Sequence, residues 1–227
     1  MPIAWEADKR GMTGGDTLPG DIAATAETAW RQSSESACHH ARKLHALGVH
    51  HQVVNRLLEP YQWMTTIMTA TRSGWESFGS LRCDDAQPEI QRLARMTKDG
   101  VTNAPYSDLV NGWHLPFAPD WGSANVHDIA EQFSSEYTWT ELSLLASAGR
   151  CARISYLRHD RDSDSADAII EDIELARRLM KDGHWSPFEH QARPLGMTDG
   201  YGAVRNLTGW VQFRADQELS KRNKHGA

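Results

Sequence analysis

A long amphipathic run followed at once by a histidine-containing turn is the feature that most constrains this chain. Residues Asp164 to Met180 keep the apolar period of a helix face, and Gly183 is a natural C-cap for that helix. From Gly183 to His190 the sequence then reads Gly-His-Trp-Ser-Pro-Phe-Glu-His. Because the proline fixes the backbone of this turn, two histidines and a carboxylate form a rigid set of donors and acceptors. Amphipathic packing alone does not explain such a set.

Apolar periodicity predicts helices along most of the remaining chain. Asp21 is a plausible N-cap for a long helix that ends at Gly48, and Pro60 stops the second helix, which contains Val53 and Leu57. Further helices are predicted at 74–81, 86–96, 126–133 and 140–148.

Two segments do not fit a helix. The threonine and β-branched residues of 63–71 predict a strand, and the glycines and prolines of 98–123 predict a loop that lies against the core. Residues 1–20 are expected to form an irregular lead-in, and 21–227 a single domain. The combination of helices with a strand predicts an α/β or α+β fold.

The composition restricts the partners and the compartment. With 227 residues, 40% of them hydrophobic, the chain can bury one good-sized core or two small ones. A net charge of -6 argues against a nucleic-acid polymer as partner, so an anionic ligand such as a mononucleotide would need a local arginine cluster. Cys38, Cys83 and Cys151 are odd in number and widely spaced, which fits a reducing compartment better than disulfides or a zinc site. With neither a membrane-length apolar run nor a signal peptide, a cytoplasmic location and no membrane partner are expected.

Three arginines are candidates for holding such an anion. Arg56, Arg72 and Arg82 flank the predicted strand and the helix after it, so a compact fold could gather them at one end of that strand. Guanidinium groups offer fixed forks of donors that suit phosphate and the polar edge of a pyrimidine. Solvated arginines on helix faces are the alternative.

Two sequence blocks together resemble the flavin-dependent thymidylate synthases, which methylate dUMP with FAD and a folate. The first block is Phe78-Gly79-Ser80-Leu81-Arg82, followed by Ala86-Gln87-Pro88-Glu89-Ile90. The second is the segment from Gly183 to His190, preceded by Ala152-Arg153-Ile154-Ser155-Tyr156. The resemblance implies a mixed sheet with packed helices, an oligomer, FAD as cofactor, and methylenetetrahydrofolate and NADPH as co-substrates.

The same resemblance assigns roles to individual residues. Arg82 would be catalytic by polarising the pyrimidine, and Arg56 and Arg82 would bind the nucleotide. Cofactor binding falls by resemblance on His184, Ser186, Glu189, His190, Arg72, Ser77 and Gln87. The two histidines and the glutamate of the second block also suggest a metal, but they form no helical His-Glu-x-x-His motif and have no evident third ligand, so we expect no metal site.

This chain departs from the family pattern in three ways. Asp85 stands where the family has a histidine before Ala-Gln, and the block containing Arg82 precedes the second block, as in longer phage-type members of permuted order. The family's third block, an Arg-His-Arg run, is not recognisable. The resemblance therefore implies that a small partner subunit supplies it in a split enzyme. A second candidate is Gln212-Phe213-Arg214 with 217–222, for which a charged helix tail is the alternative.

Methyl or hydroxymethyl transfer to C5 of a pyrimidine deoxynucleotide, dUMP or dCMP, is the function that this resemblance implies. Two alternatives remain open. The chain could be a noncatalytic subunit that binds nucleotide or flavin and stabilises a catalytic partner, or an assembly module with a decayed site.

Overall fold

The structure is a computed structural model that describes residues 1–11, 13–84, 86–105, 109, 112–122, 126–133, 135–154, 164–199 and 203–218. The chain divides into two compact units. Unit 1 comprises Met1–Met64 and Arg72–Pro105, and unit 2 comprises Thr65–Thr71 and Tyr106–Ala227. The helices greatly outnumber the strands, so the coarse class is a helix-rich α+β protein.

The described residues of unit 1 form four α-helices, as the apolar period of the sequence predicts. They are α1 (Gly20–Ala46), α2 (His51–Arg56), α3 (Arg72–Arg82) and α4 (Pro88–Asn103), with a 3-10 turn at Glu59–Tyr61. Pro88 occupies the first turn of α4, where its fixed φ and missing N–H cost nothing. The helix α1 begins one residue before Asp21, which lies in its first turn instead of capping it.

Little apolar surface is buried in unit 1. Among its described residues the buried hydrophobic side chains are Ala41, Val54 and Ala94. A chain of aromatic contacts adds to this small core, because Trp30 stacks edge-on against both Trp5 and Tyr61, at ring-centroid distances of 6.2 and 5.3 Å.

Unit 2 contains the main core. Its helices are α5 (Val126–Phe133), α6 (Trp139–Ala152) and α7 (Ala166–Lys181), and the described residues 213–218 are also helical. Thr138 and Glu141 form a capping box that starts α6, and the Ser165 hydroxyl accepts from Ala168 N at the start of α7. Two short antiparallel strands, β1 (Ala192–Pro194) and β2 (Trp210–Gln212), pair with Ala192 opposite Gln212. The buried side chains of this core come mainly from α5, α6 and α7, with Phe188 and Phe213 between them.

The helices α6 and α7 approach most closely at Gly149. A β-carbon built there would lie 2.1 Å from the backbone oxygen of Asp172, so only glycine allows this spacing. Asp172 also receives two guanidinium groups from α6, Arg150 Nε at 3.1 Å and Arg153 Nε at 3.4 Å. The close contact and the ion pairs fix the two helices against each other.

Some predictions of structure were wrong. Residues 63–71 form neither a helix nor a strand, because threonine and β-branched side chains favour extended backbone without supplying a partner strand. The helix predicted at 86–96 continues to Asn103, seven residues past its predicted end and six residues into the region predicted as loop. Among the described residues the sheet consists of the pair β1 and β2, and the larger mixed sheet stays a prediction. The expected lead-in at 1–20 and single domain at 21–227 stay predictions.

The residues that the structure describes contain no helix that is both long and apolar enough to cross a bilayer.

Candidate functional site

The turn after α7 places His184 by a defined C-cap. Gly183 adopts a positive φ of 78°, and the amides of Gly183 and His184 donate to Met180 O at 3.4 Å and Leu179 O at 2.9 Å. These two bonds are those of a Schellman motif, in which glycine takes the left-handed position. The predicted C-cap is therefore confirmed.

The block that follows divides into residues that face the core and residues that face outward. Ser186–Glu189 form a 3-10 turn in which Pro187 and Phe188 are buried. Gln191 is fully buried, and its side chain contacts Ser147 Oγ at 3.1 Å. Because these residues anchor the turn, His184, Ser186 and His190 are presented on its other side.

These three residues open into a cavity of about 560 Å³, here called the histidine cavity. It lies within unit 2, and three stretches of chain form its walls. The first is the segment Thr65, Thr66 and Ile67. The second is the end of α6 with Cys151, Ala152, Arg153 and Ile154. The third is α7 and the turn after it, with Leu175, Leu179, His184, Ser186, Pro187 and His190.

His190 is half-buried and holds a defined orientation. Its Nδ1 lies 3.1 Å from Thr69 Oγ1. Burial lowers the pKa of His190, the Glu189 carboxylate opposes that change, and nearby His114 adds to it. Burial also lowers the pKa of His114, whose backbone pairs with Ala192 of β1. Neutral imidazole is therefore favoured at both positions near neutral pH.

Arg153 brings a guanidinium group to the cavity wall, already paired with carboxylates. Its Nη1 lies 3.5 Å from Glu171 Oε2, and its Nη2 donates to Glu171 O at 3.1 Å. Burial raises the pKa of Asp172, and the guanidinium groups of Arg153 and Arg150 oppose that rise. Arg153 is thus a rigid donor in the wall with most of its charge compensated.

Cys151 contributes an inert thiol to the same wall. Burial raises the pKa of Cys151 to about 12, and hydrogen bonds from Ser147 and Gln191 only partly oppose this. A thiol held protonated near neutral pH is a poor nucleophile.

Glu189 turns away from the histidine cavity. Its carboxylate pairs with Arg214 Nη1, and its backbone oxygen accepts from Gln212 Nε2 at 2.6 Å. Phe213 N donates to Gln191 O at 3.0 Å. The candidate segment 212–214 therefore lies directly against the second block, while 219–222 fall outside the described residues.

The remaining predicted site residues belong to unit 1. Arg56 ends α2 and Arg82 ends α3, and both are exposed. Arg72 starts α3 and pairs with Glu76 at 3.0 Å, with 80% of its side chain exposed. Ser77 is exposed in the middle of α3, and Gln87 is exposed at the N-cap of α4.

The expectation that one strand end gathers the arginines was wrong. Arg72 and Arg82 occupy opposite ends of the same helix, so about 15 Å of helix axis separates their α-carbons. Asp85, Ser155 and Tyr156, which carry other parts of the resemblance, lie outside the described residues.

Several residues of the site could not be found from sequence. Thr69 and His114 reach His190 through tertiary contacts, and no local pattern marks either of them. Arg214 did have a signal, since it belongs to the candidate segment Gln212-Phe213-Arg214. In the part of the chain that the structure describes, no three histidine, cysteine or acidic side chains come close enough to hold a metal ion.

Comparison with known proteins adds no relative, since no family model, curated protein or solved structure matches this chain.

Proposed function

We propose that this chain binds FAD in the histidine cavity and transfers a one-carbon unit to C5 of a pyrimidine deoxynucleotide. The donor is methylenetetrahydrofolate, the reductant is NADPH, and the acceptor is dUMP or dCMP. The proposal includes the fold of the flavin-dependent thymidylate synthases, a mixed sheet with packed helices. One observation carries it: two parts of the second block that are about 30 residues apart in the sequence, 152–154 and the turn residues His184, Ser186, Pro187 and His190, supply walls of one cavity.

The cavity fits a flavin in size and in the chemistry of its walls. Its volume of about 560 Å³ lies within the range of about 300–1,000 Å³ that small-molecule sites occupy. Ile67, Leu175 and Leu179 supply apolar surface for a flat ring. His184, Ser186 and the half-buried His190 supply polar groups for the ring edge and the ribityl chain.

FAD would supply the redox chemistry, and the residues of the chain bind the cofactor and the nucleotide. His184, Ser186 and His190 hold the cofactor, and the apolar walls exclude water from it. Arg153, whose charge is largely compensated, suits a neutral carbonyl oxygen better than a diphosphate. In unit 1, exposed Arg82 and Arg56 bind the nucleotide, and the guanidinium group of Arg82 stabilises negative charge on the pyrimidine.

The Arg-His-Arg block is the part of the proposal that another polypeptide supplies. The 227-residue sequence contains no such triplet. Active sites of the family that the chain resembles are assembled between subunits. A small subunit that carries the Arg-His-Arg block would therefore complete the active site of this chain in an oligomer. Co-expression of such a subunit should then raise turnover strongly, whereas equal turnover with and without it contradicts a split enzyme.

Flavin binding is tested first. Purified chain should bind FAD, visible as perturbed flavin absorbance and quenched fluorescence on titration. The variant His184→Ala should weaken binding, and His39→Ala, in an exposed histidine of α1, is its matched control. Equal affinity of these two variants contradicts the assignment of the cavity.

Catalysis is tested by tritium release from C5-labelled dUMP and dCMP, with NADPH, methylenetetrahydrofolate and the partner subunit present. Arg82→Ala should abolish release without unfolding the chain, because an exposed arginine contributes little to stability. Arg42→Ala is the matched control, since Arg42 is an exposed helix arginine of the same unit. Release that survives Arg82→Ala removes the catalytic role of Arg82.

A noncatalytic role is the second candidate. The exposure of Arg56 and Arg82 favours it, because catalysis needs guanidinium groups that are held in place, and both of these side chains are exposed at the ends of helices. Under this alternative the chain binds flavin or dUMP and stabilises a catalytic partner. Binding of flavin or dUMP without tritium release, even with the partner subunit present, distinguishes this noncatalytic role from the enzymatic one.

A further inference from the structure

We propose that Arg214 is a positioning residue of the histidine cavity, because it holds the Glu189 carboxylate and, together with the two residues before it, fixes the turn that carries the imidazole of His190. The expected effect on FAD rests on the proposed function. The contacts that orient His190 are independent of it.

The backbone on both sides of His190 is fixed by the residues that precede Arg214. Gln212 Nε2 donates to Glu189 O at 2.6 Å, and Phe213 N donates to Gln191 O at 3.0 Å. Both donors belong to buried residues, with 3% of Gln212 and of Phe213 exposed. Two successive residues therefore hold the backbone carbonyls of the residues before and after His190.

Arg214 extends these contacts to a side chain. It pairs through Nη1 with Glu189 and donates through Nε to Glu218 Oε1 at 2.8 Å. Glu218 is itself held by Arg205 at 3.2 Å. Because the guanidinium plane is fixed between two carboxylates, it holds Glu189 in one orientation more firmly than a single ion pair would.

Glu189 precedes His190 in the chain, so its charge acts on the imidazole through space although its carboxylate pairs with Arg214. Among the described residues, the charged or titratable groups near this ring are Glu189 next to it in the chain, His114, whose backbone pairs with β1, and Cys151, Arg153 and His184 in the cavity walls. Glu189 is the anion that raises the pKa of His190 against burial. Arg214 partly neutralises that anion, so the loss of Arg214 and the loss of Glu189 should move His190 in opposite directions.

The test measures the pKa of His190 from the pH dependence of its ring resonances. The 227-residue chain is used, with its histidines labelled with nitrogen-15. In Arg214→Ala the pKa of His190 should rise, because the carboxylate is no longer neutralised, and in Glu189→Gln it should fall. Arg214→Lys should restore part of the wild-type behaviour, since it keeps the charge and loses the fork. The ring shifts of His184 should stay unchanged in all three variants.

Arg177→Ala is the matched control. Arg177 also bridges two glutamates, Glu136 at 3.0 Å and Glu174 at 3.1 Å, and 34% of its side chain is exposed against 35% for Arg214. It does not line the histidine cavity. This variant should leave His190 unchanged, so an effect equal to that of Arg214→Ala contradicts a specific role.

FAD affinity gives the second readout. Arg214→Ala and Glu189→Gln should each weaken binding about tenfold, and the double variant should bind no more weakly than either, since residues of one network are non-additive. Additive losses, or movement of His190 in the same direction in both single variants, overturn the inference. If the wild-type chain binds no FAD, the proposed function fails, and the resonances of His190 still decide the role of Arg214.

Discussion

The substitution Gly149→Ala tests whether α6 and α7 are as close as the structure places them. The added β-carbon would lie 2.1 Å from Asp172 O, 2.7 Å from its carbonyl carbon and 2.9 Å from its α-carbon. Side-chain β-carbons essentially never come within 3.0 Å of such atoms, so the helices must separate locally by about 0.9 Å. All three atoms belong to a helix backbone, which cannot rotate aside.

The cost follows from two opposing effects. Overpacking a core costs about 1–3 kcal/mol, and contact with backbone places this change at the upper end. Alanine in place of glycine inside a helix recovers up to about 1 kcal/mol. We therefore expect the free energy of unfolding to fall by about 2 kcal/mol, which corresponds to about 8 °C in melting temperature at about 4 °C per kcal/mol.

Thermal unfolding followed by circular dichroism measures this change. Gly100→Ala is the control, because Gly100 lies in α4 with no atom within 4 Å of an added β-carbon, so it should be neutral or slightly stabilising. The Gly149→Ala variant should also bind FAD more weakly, since both helices wall the histidine cavity. A melting temperature at or above that of the wild type would refute the close approach.

Two further predictions come from buried groups. Cys151 should react with Ellman's reagent only on unfolding, because burial raises its pKa to about 12. The half-buried Cys38 and Cys83 should react in the native chain. Rapid reaction of all three thiols in the native chain would contradict this prediction. The free energy of unfolding should fall as the pH drops below about 6.5. Burial lowers the pKa of His114 and His190 in the folded chain, so at such a pH the unfolded chain binds more protons than the folded chain does. Urea denaturation at about pH 7.5 and about pH 5.5 checks the sign, and greater stability at the lower pH would contradict it.

Local signals predicted the helices and the turn well. The helix α7 and the left-handed Gly183 could be found because amphipathic period and C-capping act over a few residues. The same reasoning failed for 63–71, because strand propensity describes a half-buried surface and cannot specify which neighbour provides it. In the structure the start of that segment forms a cavity wall, and Thr69 hydrogen-bonds His190.

The candidate site was predictable only where its residues lie in the second sequence block. His184, Ser186 and His190 share the histidine cavity, but nothing local to the sequence indicated that Glu189 would turn to Arg214. The direction of that carboxylate depends on residues that return to the turn through β2. Sequence spacing therefore predicted the composition of the turn better than the directions of its side chains.

The second block and Gln191 directly after it contain both buried packing residues and outward-facing polar residues, and this affects how such a motif is interpreted. Pro187, Phe188 and Gln191 are buried, so substitutions there act mainly on stability; truncating a buried phenylalanine costs about 3–5 kcal/mol. His184 and Ser186 are exposed beside the cavity and contribute little to the core. A chain could therefore retain the buried half of the motif for its fold after losing the ligand. Both halves of the motif are present here around one cavity with apolar walls, which supports the proposed binding site over a purely structural turn.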